Sequence, residues 1–394
     1  MKRIAIFCDG TWNRHDAVYP TNVVRLAQAV KLTAADGIKQ QVFYVLGVGA
    51  GRGSNRFVRA LDRVAGGAMG WGLIENIEDA YRALIFCYEP GDEIHIFGFS
   101  RGAYTARSLA GLLRSCGIPP RENVARIGEA VARYRSRKPD THPDDPESFL
   151  FRSEFAPFTA TSDADWQWRL KTRPQLCVKL AVSYLGVWDT VGALGVPGYW
   201  TAAPLLNKRH QFHDADLSRM VASARHAVAI DERRRTFPPA MWSDKLDAMN
   251  RDALGLGADD PLDPAGRDDW PYRQEWFPGD HGSVGGGGDR QGLSAIACAW
   301  IAQGAVRAGL DLDARNLDSL RTGENIREAL VNQSQMGLLA QLMRKRALDR
   351  DGPDRLADLS DAARDRIACD PTYQPPPLRK VLDQAQRAIT RHTW

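Results

Sequence analysis

The pentapeptide Gly98-Phe99-Ser100-Arg101-Gly102 sets a serine between two glycines, directly after an apolar run that begins at Glu93. A serine hydroxyl is a poor nucleophile near neutral pH, so chemistry at Ser100 requires a histidine to take its proton and a carboxylate to fix that histidine's tautomer. The chain offers both after further apolar runs: Asp189 after Lys179–Trp188, Asp231 after His226–Ile230, and His281 after Glu275–Phe277. The other seven histidines serve less well. His15 lies too early, His95 sits inside the run before the serine, His142, His210 and His213 fall in or beside insertions, His392 is in the tail, and His226 opens a strand as a structural residue. For the acid we take Asp189 and keep Asp231 as the alternative, because the three arginines just beyond Asp231 offer it an ion pair instead. Acyl transfer through a Ser-Asp-His set in that chain order is the chemistry these types and spacings support.

The elements that must position them follow from the same runs. A G-x-S-x-G segment between a strand and a helix forms a sharp turn that exposes the serine, and the glycines let backbone pass close by. The helix predicted from Ala103 to Leu113 aims its N-terminal N–H groups at the serine, which suits a developing oxyanion. The backbone N–H of Arg101 is the first oxyanion donor, and the loop Gly10-Thr11 after the strand Lys2–Cys8 supplies the second. Strands and helices alternate from Lys2 onward (helices over Thr21–Leu32 and Trp71–Tyr88, a strand over Gln41–Val48), which implies a parallel sheet with right-handed crossovers. The predicted fold class is therefore α/β: an α/β-hydrolase-like, mostly parallel sheet with helices on both faces and cap insertions. Residues 1–310 form the catalytic domain, with insertions at about 133–173 and 243–272, and residues 311–394 form a helical, polar C-terminal extension packed on the core. The first insertion carries six aromatics, from Phe149 to Trp168, and reads as a cap over the serine that admits an apolar acyl chain. The glycine-rich stretch 49–72 lacks the Lys-Ser/Thr of a phosphate-binding loop and reads as a loop bordering the site.

Composition removes other classes. Hydrophobic residues at 44% and charged residues at 25% are ordinary for a globular enzyme, and no apolar run is long enough to cross a bilayer. The apolar start at Met1 is too short for a signal peptide, which predicts a cytoplasmic location. Six cysteines stand singly, with no metal-ligand spacing, so neither a metal nor any other cofactor is expected. A net charge of +4 gives a weak attraction to anionic surfaces, including a membrane surface, and is too small to argue nucleic-acid binding.

In combination, the stretches FCDGTWN, GDEIHIFGFSRGAYTARSLAGLL, LGVWDTVGALG, HAVAIDERRRTFPPAMW and WFPGDHGSVGGG resemble the DUF2235 family, the α/β-hydrolase catalytic domain of Tle1-like type VI secretion phospholipase effectors. The resemblance runs from residue 2 to about 290. It implies Ser100 as nucleophile, Asp189 as acid, His281 as base, and an ester or phospholipid substrate. It also implies a secretion-apparatus or immunity partner and export without a signal peptide. One departure stands out: the family usually has aspartate two residues after the histidine, where this chain has Ser283. A general intracellular esterase, or a binding module that keeps the fold, are the competing readings.

Overall fold

The computed structural model describes residues 1–10, 16–47, 68–172, 177–192, 217–235, 237–243, 245–332 and 348–391. Thr11, His15, His210, His213, His392 and most of the glycine-rich stretch 49–72 lie outside the described residues. Six parallel strands form the central sheet: β1 (Arg3–Cys8), β2 (Gln40–Val45), β3 (Glu93–Phe99), β6 (Tyr184–Trp188), β7 (Ala224–Ala229) and β8 (Tyr272–Phe277), in the order β2-β1-β3-β6-β7-β8. Two short strands, β4 (Thr159–Ala160) and β5 (Val178–Lys179), pair separately. The run Lys179–Trp188, predicted as one strand, is thus divided between two sheets. Only Tyr184–Trp188 joins the main one.

Every residue of β1, β6 and β7 is buried, because a parallel sheet is covered on both faces and its strands read as continuous apolar runs. Alternation along β1 still decides which layer each side chain enters. Ile4, Ile6 and Cys8 pack with the helices Ala68–Cys87 and Arg101–Cys116, whereas Ala5 and Phe7 pack with Asn22–Ala29 and Gly292–Arg307. The α/β architecture read from the sequence is present. The chain runs outward in one direction from β1 to β2 and in the other through β3, so the sheet's topological switch lies between β1 and β3. Crevices for ligands in open α/β sheets form at the carboxyl ends of such strands. Register then fixes what meets there. Cys8 pairs with Gly98, Phe99 with Trp188, and Ala229 with Phe277, so Asp9, Ser100, Asp189 and the loop to His281 all leave the same sheet edge.

The segment after residue 310 is bound into the core. Leu312 and Leu320 enter the layer of the Gly292–Arg307 helix, while Leu359, Ala363, Ile367, Tyr373 and Leu378 pack on Val228, Ile230 and Trp276. The Ser360 N–H donates to Trp276 O at 3.1 Å, so this segment covers the exposed side of edge strand β8.

The insertion at 133–173 does not roof the serine. Its helices Pro146–Phe155 and Asp163–Thr172 rest on the far end of the Arg101–Cys116 helix: Arg152 donates to Ser115 O at 3.1 Å, and the Ile118 N–H donates to Thr159 Oγ1 at 3.0 Å. A 16-residue helix separates those contacts from Ser100 by roughly 24 Å. The aromatics that suggested an acyl cap instead brace this buttress, with Phe149 and Phe155 buried. Its centre is ionic. Fully buried Asp165 receives Arg152 Nε at 2.8 Å and Arg169 Nε at 3.0 Å, and both guanidinium groups also bond backbone carbonyls. Removing the shared carboxylate leaves two buried cations unpaired, so Asp165→Ala should lower the unfolding free energy by about 3–5 kcal/mol. A denaturant titration with an unmoved midpoint would show that the arginines find other partners.

Candidate active site

Ser100 stands between the end of β3 and the start of the Arg101–Cys116 helix with φ 60° and ψ −123°, a conformation that costs a non-glycine residue energy and persists only under surrounding constraint. The glycines make the turn feasible. A Cβ on Gly98 would overlap Gly102 O and Ala103, and a Cβ on Gly102 would overlap the carbonyl oxygens of Cys8 and Asp9. The Ser100 N–H donates to Trp188 O at 3.0 Å, tying the turn to the residue before Asp189. Arg101 is the first residue of the helix, which places its N–H at the helix N-terminus.

Asp189 is the second non-glycine residue with positive φ, at 36°, and is fully buried. Its Oδ1 accepts from the Ala229 N–H at 2.9 Å, and its Oδ2 lies 2.6 Å from His281 Nδ1. Arg350 completes the carboxylate, Nη1 to Oδ1 at 2.6 Å and Nη2 to Oδ2 at 3.0 Å. Burial alone pushes the Asp189 carboxyl up, but the Arg350 guanidinium and His281 outweigh it and hold the group well below the usual carboxylate range. An ionised carboxylate only accepts, so Nδ1 of His281 carries the proton and Nε2 of the neutral ring is left as the lone-pair acceptor.

His281 opens the short helix His281–Gly285, whose N-cap is Asp280. Its N–H donates to Glu232 Oε2 at 3.2 Å, and its ring sits 4.5 Å from that of Phe99 and 4.9 Å, edge-on, from that of Phe237. Glu232 is itself held low against its burial by Arg234, at 2.7 Å. The histidine therefore packs on the residue adjoining Ser100. Among the described residues, no hydrogen bond joins the Ser100 hydroxyl to it.

The alternative acid is engaged elsewhere. Asp231 Oδ2 accepts from the Gly279 N–H and from Tyr373 Oη, both at 2.7 Å, so it shapes the turn ahead of His281 without touching the ring. Ser283, where the resemblance leads one to expect aspartate, shares its Oγ–H between Asp280 Oδ1 at 3.0 Å and Leu330 O at 3.1 Å, which secures the same turn. The Gly10 N–H donates to its neighbour's carboxylate, Asp9 Oδ1, at 2.7 Å, and the other Asp9 oxygen takes Thr21 Oγ1 and Tyr44 Oη. A cavity of about 840 Å³ opens behind the acid, lined by Phe237, Trp242, Trp270 and Arg350 among others, and Ser100 is not part of its lining. The second insertion therefore contributes to the surroundings of the site, as the helix Leu246–Leu254 and Trp270 border that cavity. Among the described residues no cluster of three ligating side chains suits a metal ion, and no helix is long and apolar enough to cross a membrane.

A family model described as the catalytic domain of Tle1-like phospholipase effectors of the type VI secretion system matches residues 2–304. The chain belongs to this family. A relative in Saccharomyces cerevisiae, an uncharacterized protein, is 28% identical over 243 residues, which are 60% of this chain and 32% of that one. An uncharacterized Pseudomonas aeruginosa structure aligns at TM-score 0.42 and 18% identity, covering 99% of this chain and 53% of its own. A Tle1 effector bound to the VgrG spike of the type VI system aligns at TM-score 0.35 and 17% identity, covering 72% and 51%. The chain thus spans about a third of the yeast relative and about half of each structure.

Two features were not singled out from the sequence. Arg350 lies in the extension read as helical, polar and packed on the core, beyond the stretch this Tle1-like model matches. Glu232 carries no pattern beyond its place among arginines.

The buried histidines outside the site set a pH dependence. His226 is fully buried, with Nε2 accepting the Thr190 N–H at 3.2 Å and Nδ1 on Gln274 Oε1 at 2.9 Å, and burial pushes it down to about 3. The unfolded chain takes up this proton near pH 6.5 and the folded state does not. Stability from this group is therefore complete above about pH 6.5 and is lost as pH falls toward 3, by up to about 1.4 kcal/mol per pH unit. His226→Gln should reduce that slope in thermal or denaturant unfolding between about pH 6 and pH 4; an unchanged slope would mean that His226 charges inside the fold.

Proposed function

We propose that this member of the Tle1-like phospholipase effector family is a serine hydrolase of carboxylic esters, with phospholipid acyl esters as its substrate class. The observation that carries the reading is the 2.6 Å bond between His281 Nδ1 and buried Asp189, at the same sheet edge as the strained turn at Ser100. In the proposed sequence, His281 Nε2 takes the Ser100 proton as Oγ attacks the ester carbonyl. The oxyanion develops opposite the Arg101 N–H, and the imidazolium then protonates the departing alcohol to leave an acyl-serine. Water, activated by the same nitrogen, releases the acid. The second oxyanion donor belongs to the Gly10-Thr11 loop; in this role Gly10 must exchange its bond to Asp9 for the oxyanion. Residues 311–394 are proposed as an integral extension of a catalytic domain formed by residues 1–310. Family membership supports a secretion-apparatus partner and export for action on a target membrane, alongside the lipid substrate.

Ser100→Ala should lower hydrolysis of a short-chain p-nitrophenyl ester by at least about 10³-fold while leaving the unfolding transition in place. A fluorophosphonate probe should label Ser100 in the unaltered protein and not in Ser100→Ala, since labelling requires an activated serine. A folded protein that neither reacts with the probe nor loses ester turnover on Ser100→Ala is a binding module, the reading favoured by the missing bond between Ser100 and His281.

A further inference from the structure

We infer that Arg350 is a positioning residue of the candidate triad: it clamps both oxygens of Asp189 and, by offsetting the charge of that carboxylate, sets the pH at which His281 becomes a free base. The inference rests on the serine-hydrolase reading for its catalytic consequence, and on geometry alone for its effect on the histidine. Arg350 is 6% exposed, and among the described residues every hydrogen bond of its side chain lies around the acid: two to Asp189, one to Ala229 O at 2.7 Å and one to Phe237 O at 2.9 Å. The two carbonyls come from β7 and from the loop whose Phe237 ring packs on His281, so one guanidinium joins the acid to one wall of the histidine pocket. A lysine ammonium is a point charge and cannot reproduce this planar, two-pronged grip.

The sign of the electrostatic effect follows from the pair's composition. An unpaired aspartate beside an imidazole stabilises the imidazolium and keeps the base protonated to higher pH. With a guanidinium on the same two oxygens, part of that attraction is cancelled, and the ring is free to accept the serine proton at lower pH. Among the described residues, the remaining charged groups around His281 are Glu232 at its N–H, Arg234 paired with Glu232, and Asp280 at the N-cap; Asp231 is occupied by Gly279 and Tyr373. Of the described residues, Arg350 is the charged side chain, besides His281, that hydrogen-bonds the acid, while Arg234 acts on it through space.

The test compares the full-length protein with Arg350→Met and Arg350→Lys, using two readouts. The first is the titration of the His281 ring by NMR in histidine-labelled protein, assigned with His281→Ala. It needs no activity. In Arg350→Met the ring should titrate about one pH unit higher, and in Arg350→Lys close to the unaltered protein. The second is kcat/KM on a short ester as a function of pH. The acidic limb should move up with the NMR titration in Arg350→Met, and at the plateau both variants should lose about tenfold in kcat, as when an outer hydrogen-bond partner of a functional group is removed, with KM little changed. If Arg350→Met does not fold, Arg350→Lys decides through its loss of kcat at an unmoved limb; Arg350→Lys indistinguishable from the unaltered protein in kcat overturns the inference. So does a folded Arg350→Met whose ring titration stays in place, which would mark Arg350 as structural only. Normal NMR shifts in a protein without esterase activity would keep the clamp and overturn the hydrolase reading instead.

Discussion

A carboxylate with no surface in contact with water must find donors for both oxygens, and Asp189 finds four of them in three different places. The Ala229 N–H comes from the neighbouring strand, His281 from the loop after β8, and two guanidinium nitrogens from a segment far along the chain. Each satisfies a desolvated charge that is costly to leave unpaired. The histidine is oriented because the acid is buried, and the acid can be buried because the arginine is there. The same bonds tie β6, β7, the β8 loop and the C-terminal extension to one point.

The elbow supplies the complementary constraint. Ser100 holds a backbone conformation that no side chain favours, and what keeps it there is close packing: Gly98 of β3 against the start of the following helix and Gly102 against the end of β1. Either glycine replaced by a larger residue would have to displace main chain, not a pliable side chain. The serine's position is therefore set by the sheet, whereas the histidine's is set by side chains, among them the rings of Phe99 and Phe237. Strain at Ser100 and pairing at Asp189 are carried by different parts of the fold.

The sheet and the elbow were legible because their signals are local. Apolar runs ending in loops mark β1, β3 and β7, and G-x-S-x-G carries its geometry in five consecutive residues. Asp189 and His281 could be placed at one edge by counting strands, although the run Lys179–Trp188 concealed a break at residues 180–183 that alternation alone does not reveal. The first insertion misled for a physical reason. Aromatic content says that a segment packs, not against which end of a helix, and its buried Arg152–Asp165–Arg169 cluster pairs residues whose charges looked like surface. Arg350 was illegible on the same ground. It is one of 52 basic residues, and an ion pair across 161 positions leaves no periodic trace.

That separation has a consequence for the order in which the protein is made. A chain synthesised only as far as residue 349 already contains Ser100, Asp189 and His281, yet lacks the counter-charge that lets the Asp189 carboxylate enter the interior. Until Arg350 emerges and docks, Asp189 must stay hydrated or take up a proton, and the loop bearing His281 lacks the Leu359–Leu378 packing on β7 and β8 behind it. The carboxylate–imidazole pair of this chain is thus among the last parts of the candidate site to assemble.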